Sequence, residues 1–148
     1  MTSLYTVDAS VFLNAFNPYE EGYEDSHRFL ARLQAGAVPV IVPTLLLPEV
    51  AAAVSRGRED EELARGFATA LRRLPHLVWV SLEETLARQA AEVAARYCLR
   101  GGDAVYAAVA LRFGSTLVTL DREQRQRVDA LLPARYPAEV LGEMEDEA

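Results

Sequence analysis

Thr116-Leu117-Val118-Thr119-Leu120-Asp121 is an apolar, β-branched run that ends on an acid, and Arg122 then opens a polar stretch with helical spacing as far as Leu132. A strand that stops at a carboxylate and turns into a helix is the expected signature of an α/β unit. The amino-terminal end repeats it: Leu4 to Val7 reads as a strand, Asp8 follows directly, and Ser10 to Phe16 has helical character. Val38 to Val42 and Leu77 to Val80 are two more short apolar runs bounded by turn formers or charges. A fifth strand is expected near Glu139 to Leu141, just after Pro137. Tyr23 to Gln34, Leu45 to Ser55, Asp60 to Leu74, Glu83 to Tyr97 and Asp103 to Phe113 read as helices. This alternation predicts an α/β fold with a mostly parallel sheet of four to five strands.

At 148 residues the chain has the size of one domain, and 51% hydrophobic with 25% charged residues is ordinary for a globular core. The domain is expected over residues 1–142. Residues 143–148 carry four acids and no base and read as a solvated, mobile tail. Cys98 is the single cysteine, which excludes an internal disulfide and a cysteine-built zinc cage, suits a reducing cytoplasm, and is expected to pack on the core. The amino terminus lacks a basic n-region and no apolar run reaches membrane-spanning length, so a cytoplasmic protein with no membrane partner is expected. All fifteen basic side chains are arginine. Without lysine, a P-loop nucleotide site, a Schiff-base enzyme and a Ser-Lys hydrolase are excluded, while phosphate binding by arginine is not.

Four of the 22 acids stand in unusual places. Asp8 is the sole charge from Met1 through Tyr19, Glu49 between Arg32 and Arg56, and Asp103 between Arg100 and Arg112; Asp121 closes the uncharged run Phe113 to Leu120. A carboxylate set in apolar surroundings loses hydration and needs compensation. Asp8 and Asp121 each follow a strand and precede a helix, so both belong at the carboxyl edge of the sheet, where ligands bind in open α/β folds. Asp103 opens a helix after Gly101-Gly102, and Glu49 lies early in the helix after the second strand, on the same edge if the crossovers are right-handed. Four converging carboxylates repel one another unless they share protons or cations, and an all-oxygen donor set selects Mg²⁺, Mn²⁺ or Ca²⁺ over zinc. Individually, Asp103 and Asp121 could equally be helix caps.

These residues resemble the pattern of the PIN domain family, and within it the VapC-like toxins of toxin-antitoxin pairs. The resemblance spans almost the whole chain. It rests on Val7-Asp8-Ala9-Ser10-Val11, on Pro43-Thr44-Leu45-Leu46-Leu47-Pro48-Glu49-Val50, on Gly102-Asp103-Ala104-Val105-Tyr106-Ala107-Ala108, and on Leu117-Val118-Thr119-Leu120-Asp121. It implies an α/β/α sandwich. It also implies that Asp8, Glu49, Asp103 and Asp121 are the catalytic, metal-binding acids, with Ser10 and Thr119 supporting them by hydrogen bonds. One departure is Pro48, next to Glu49, which requires the helix to begin close to it or to kink.

The implied activity is Mg²⁺- or Mn²⁺-dependent hydrolysis of RNA phosphodiesters by the toxin of a VapBC-type pair, with an antitoxin whose arginine-bearing tail blocks the acidic site. A PIN-fold binding or scaffold module with weak or no nuclease activity is the alternative. Similar proteins pair into homodimers, and the apolar stripes from Leu45 through Leu74 are expected to supply the surface. A net charge of −7 opposes RNA binding, but setting aside the four site acids and the four tail acids removes the negative excess. Arg100, Arg122 and Arg125 are the expected phosphate contacts, the last two sharing a helical face. Tyr106 reads as core or as a base-stacking ring. His27 and His76 are not expected to be catalytic. A haloacid-dehalogenase-like phosphatase would need an acid where Ser10 stands, and a phosphoacceptor receiver would need lysine.

Overall fold

A computed structural model describes residues 3–147. The chain runs β1 (Tyr5–Val7), α1 (Ala9–Phe16), α2 (Tyr23–Ala35), β2 (Val40–Pro43), α3 (Leu46–Arg58), α4 (Glu61–Arg72), β3 (Leu77–Val80), α5 (Glu84–Tyr97), α6 (Gly101–Phe113), β4 (Thr116–Val118), α7 (Arg122–Val128), β5 (Ala134–Arg135) and α8 (Pro137–Asp146). All five strands are parallel, in the order β3-β2-β1-β4-β5. The first three strands step outward to one side, and the chain then crosses back to lay β4 on the other flank of β1. That reversal opens a crevice at the carboxyl ends of β1 and β4, where open α/β sheets bind ligands.

Burial explains the apolar runs. Every residue of β1 and β2 is buried, as parallel strands covered on both faces require. Helix α6 packs against α5 on one side and β1, β2 and β4 on the other, so Ala104 to Ala110 are buried all round. Its small side chains let the helix lie close to the sheet. Asp60 and Glu83 cap α4 and α5 by accepting the Leu63 N–H at 2.9 Å and the Leu86 N–H at 2.7 Å. No helix among the described residues is long and apolar enough to cross a membrane.

Several boundaries differ from expectation. Residues 139–141 belong to α8 and not to a strand; the fifth strand is Ala134–Arg135, bonded to β4 through Leu117 N–H to Pro133 O at 3.0 Å. Pro137 sits in the first turn of α8, where its missing N–H costs nothing, and Glu139 accepts the Tyr136 N–H at 2.9 Å. The acidic tail does not detach at Glu143, because α8 continues to Asp146 and packs on α2. Glu143 pairs with Arg135 at 2.9 Å and Glu145 with Arg28 at 3.2 Å; Ala148 lies outside the described residues. Helix α7 ends at Val128, short of Leu132, and α6 starts two residues before Asp103. Cys98 is exposed and ends α5 in a left-handed conformation at φ 55°. Among the described residues the large exposed apolar side chains are Tyr19, Val78, Leu82, Leu111 and Phe113.

Candidate functional site

Asp8 is the junction of β1 and α1 and is only 6% exposed. Its backbone N–H continues the sheet by donating to Val118 O at 3.1 Å, and its carboxylate caps α1 by accepting the Ser10 N–H. The second carboxylate oxygen is bonded to the Thr119 hydroxyl, one strand over. Ser10 in turn accepts the Leu120 N–H at 3.1 Å, tying α1 to the turn that leads to Asp121. Burial pushes the Asp8 carboxyl above its ordinary range, the Thr119 and Ser10 bonds oppose that shift, and the charge of Asp121 adds to it.

Asp121 is the N-cap of α7 and accepts the Gln124 N–H at 3.0 Å. Its other oxygen lies 3.9 Å from the guanidinium of Arg100, which also stands 3.7 Å from Glu123. Glu49 lies in the first turn of α3, half-buried, and its carboxyl is raised first by burial, with the bond from Tyr106 opposing and the charge of Asp8 adding. Pro48 is accommodated because α3 starts at Leu46, so it too stands in the first turn. The buried Tyr106 hydroxyl donates to Glu49 at 2.7 Å. Its phenol is pushed far up, by burial first and then by the charge of Glu49. A Cβ at position 102 would come within 3.2 Å of Glu49 Oε2, so Gly102 lets the start of α6 approach that carboxylate.

Asp103 ties the group together. Its carboxyl is raised from 3.8 to about 6, first by burial and then by the charges of Asp121 and Asp8; Arg100 opposes the shift and Glu49 adds to it. The charges of all three other acids therefore reach Asp103. Among the described residues, however, no three His, Cys, Asp or Glu side chains are gathered tightly enough to enclose an ion. The donor set fits a hard divalent cation by chemistry and by charge: it offers only oxygens, and its uncompensated negative charge is what a cation would relieve.

The expected arginines divide. Arg122 is exposed on the first turn of α7 and forms no ion pair among the described residues, and Arg100 is exposed at the mouth. Arg125 departs from expectation. Its side chain is 24% exposed, pairs with Glu139 at 2.9 Å and lies over the Tyr136 ring at 4.7 Å, so it fastens α7 to α8 and does not face the crevice. His27 and His76 line an apolar cleft with Phe12, Phe16 and Phe67, and none of the four acids lines it. Sequence reasoning missed the roles of Tyr106 and Gln124. The signal for Tyr106 was its position one helical turn after Asp103, on the same face.

The sequence profile of the PIN domain family matches residues 5–130. No curated protein matches the chain. Among solved structures, PAE2754 from Pyrobaculum aerophilum is 21% identical and superimposes with a TM-score of 0.70, covering 99% of each chain. VapC20 of Mycobacterium tuberculosis, a sarcin-ricin loop cleaving toxin, is 22% identical with a TM-score of 0.67 over 84% of this chain and 94% of that one. FitAcB from Neisseria gonorrhoeae is 17% identical with a TM-score of 0.69 over 90% and 98%. At such identities the likeness is one of fold, but the family profile spans most of the sequence, and with the all-parallel sheet it identifies the chain as a member of the PIN domain family.

Proposed function

We propose that the chain is a divalent-metal-dependent endoribonuclease acting as the toxin of a VapBC-type toxin-antitoxin pair, with Mg²⁺ or Mn²⁺ as its cofactor. The observation that carries this reading is Asp103, whose carboxyl is raised to about 6 first by burial and then by the charges of Asp121 and Asp8, with Arg100 opposing and Glu49 adding. Such a concentration of negative charge is unfavourable without a cation. Asp8, Glu49, Asp103 and Asp121 would hold the ion, which when bound supplies charge stabilisation at a phosphoryl oxygen and activation of water. Thr119 and Tyr106 orient Asp8 and Glu49 by their hydrogen bonds. Ser10 anchors the turn before Asp121. Arg122 and Arg100, exposed beside the acids, are suited to phosphate.

The toxin reading is supported by relatives of the same fold that are toxin-antitoxin proteins, among them the toxin-antitoxin complex from Klebsiella pneumoniae. The partner would be a small antitoxin presenting arginine to the acidic crevice, and the toxin would pair into a homodimer in the cytoplasm. A PIN-fold binding or scaffold module remains the second reading, favoured by the absence, among the described residues, of a closed cluster of three acids. Incubating the protein with structured RNAs in Mg²⁺, in Mn²⁺ and in EDTA separates the two. Cleavage that needs the ion and is lost in Asp8→Asn supports the nuclease, and RNA left intact under every condition supports the module.

A further inference from the structure

Gln124 is 1% exposed, yet its side chain is an amide with two donors and an acceptor to satisfy. Oε1 lies 2.7 Å from Thr119 Oγ1, Nε2 donates to the Asp103 carbonyl at 3.4 Å, and the backbone N–H donates to Asp121 at 3.0 Å. Thr119 Oγ1 is itself bonded to Asp8 and accepts the Asp121 N–H at 3.0 Å. One buried side chain is thus connected to the segments that carry three of the four acids.

Helix stability does not demand this arrangement. Asp121 and Gln124 have the spacing of a capping box, in which the glutamine would accept the N–H of the cap residue. Here the Asp121 N–H goes to Thr119 instead, and the Gln124 amide turns inward onto the same hydroxyl. That hydroxyl has one hydrogen and several polar neighbours. With Nε2 spent on the Asp103 carbonyl, Oε1 is left as an acceptor and shares that single hydrogen with Asp8; an aliphatic side chain at 124 could neither accept from Thr119 nor donate to Asp103.

We propose that Gln124 is a positioning residue of the acid site. It fixes the position of the Thr119 hydroxyl, which stands between it and Asp8, and pins the first turn of α6, with Asp103, to the first turn of α7, with Asp121. It acts through Thr119 and the Asp103 backbone, touching neither cation nor substrate. The inference rests on the reading of the four acids as a divalent-cation site.

The test is calorimetric titration with Mn²⁺ of wild type, Gln124→Met, Thr119→Val and the double variant, with Asp103→Asn as reference and each fold checked by thermal melting. Gln124→Met keeps length and bulk while removing every polar contact of the side chain. Its Mn²⁺ affinity should fall about 10- to 100-fold. The double variant should bind little more weakly than Thr119→Val alone, because the two residues act in series. A purely structural glutamine would lower the melting temperature and leave the affinity of the folded protein unchanged, which overturns the inference; so do losses that simply add. Should Gln124→Met not fold, nuclear magnetic resonance on the wild type decides: Mg²⁺ should shift the Gln124 side-chain amide signals while the exposed Gln34 and Gln89 stay in place, and unmoved Gln124 signals overturn the inference. If wild type binds no Mn²⁺, or Asp103→Asn binds it equally well, the cation-site reading fails and this inference with it.

Discussion

Replacing Asp103 by Asn should stabilise the metal-free protein at neutral pH. Burial and the neighbouring acids raise the native carboxyl from 3.8 to about 6, which at about 1.36 kcal/mol per pH unit is roughly 3 kcal/mol disfavouring the charged form. Asp103 is only partly buried, so solvent screening reduces the figure to about 1–2 kcal/mol. The native state binds the proton more tightly than the unfolded chain, hence stability contributed by this group falls as pH rises through the window 3.8 to about 6, and the full penalty applies above it. Asn carries no such penalty. Thermal melting in EDTA at pH 7.5 should therefore show the variant higher by about 2–8 °C, a gain that shrinks to nothing near pH 4. Saturating Mg²⁺ should reverse the order, since an ion at about 100 times its Kd adds about 2.7 kcal/mol to the wild type alone. A variant that melts below wild type in EDTA at pH 7.5 would refute the reasoning and make the Asp103 carboxylate a structural partner of Arg100.

Asp121→Asn should keep the fold, because Asn caps a helix as well as Asp, while RNA cleavage in Mg²⁺ drops by at least about tenfold. Leu117→Ala, which empties a fully buried position in β4, should cost about 2–5 kcal/mol in urea unfolding. Wild-type cleavage in folded Asp121→Asn would remove Asp121 from the site. Arg122→Ala should weaken RNA binding and lower the slope of log affinity against log salt by about 0.7, whereas Arg125→Ala should leave that slope unchanged and cost roughly 1 kcal/mol of stability through its lost contacts to Glu139 and Tyr136. Salt-dependent binding and melting of the two variants side by side check both halves.

Much of the site was legible because burial leaves a mark on composition. A strand covered on both faces cannot carry charge, so Asp8 and Asp121 stood out as the first ionic residues after β1 and β4, and the charge of Asp121 reaches Asp8. Asp103 stood out for the same reason at the head of α6, whose stretch Ala104 to Ala110 is buried all round. Pro48 was compatible with Glu49 because a proline near a helix start gives up no hydrogen bond.

What local sequence could not convey was which long-range partner a polar side chain meets. Arg122 and Arg125 are alike in type and near in sequence, yet one is exposed and the other is held by α8, a helix whose start at Pro137 reads locally like the edge of a strand. Tyr106 finds Glu49 across 57 residues, and Thr119 finds Asp8 across 111. Composition and periodicity determined the α/β alternation and the four isolated acids, since both follow from which side chains water must be kept from. Only the tertiary structure decided which atoms Tyr106, Thr119 and Gln124 meet, because a hydrogen bond is directional over a few ångströms and its partner is chosen by the packing of segments far apart in the chain.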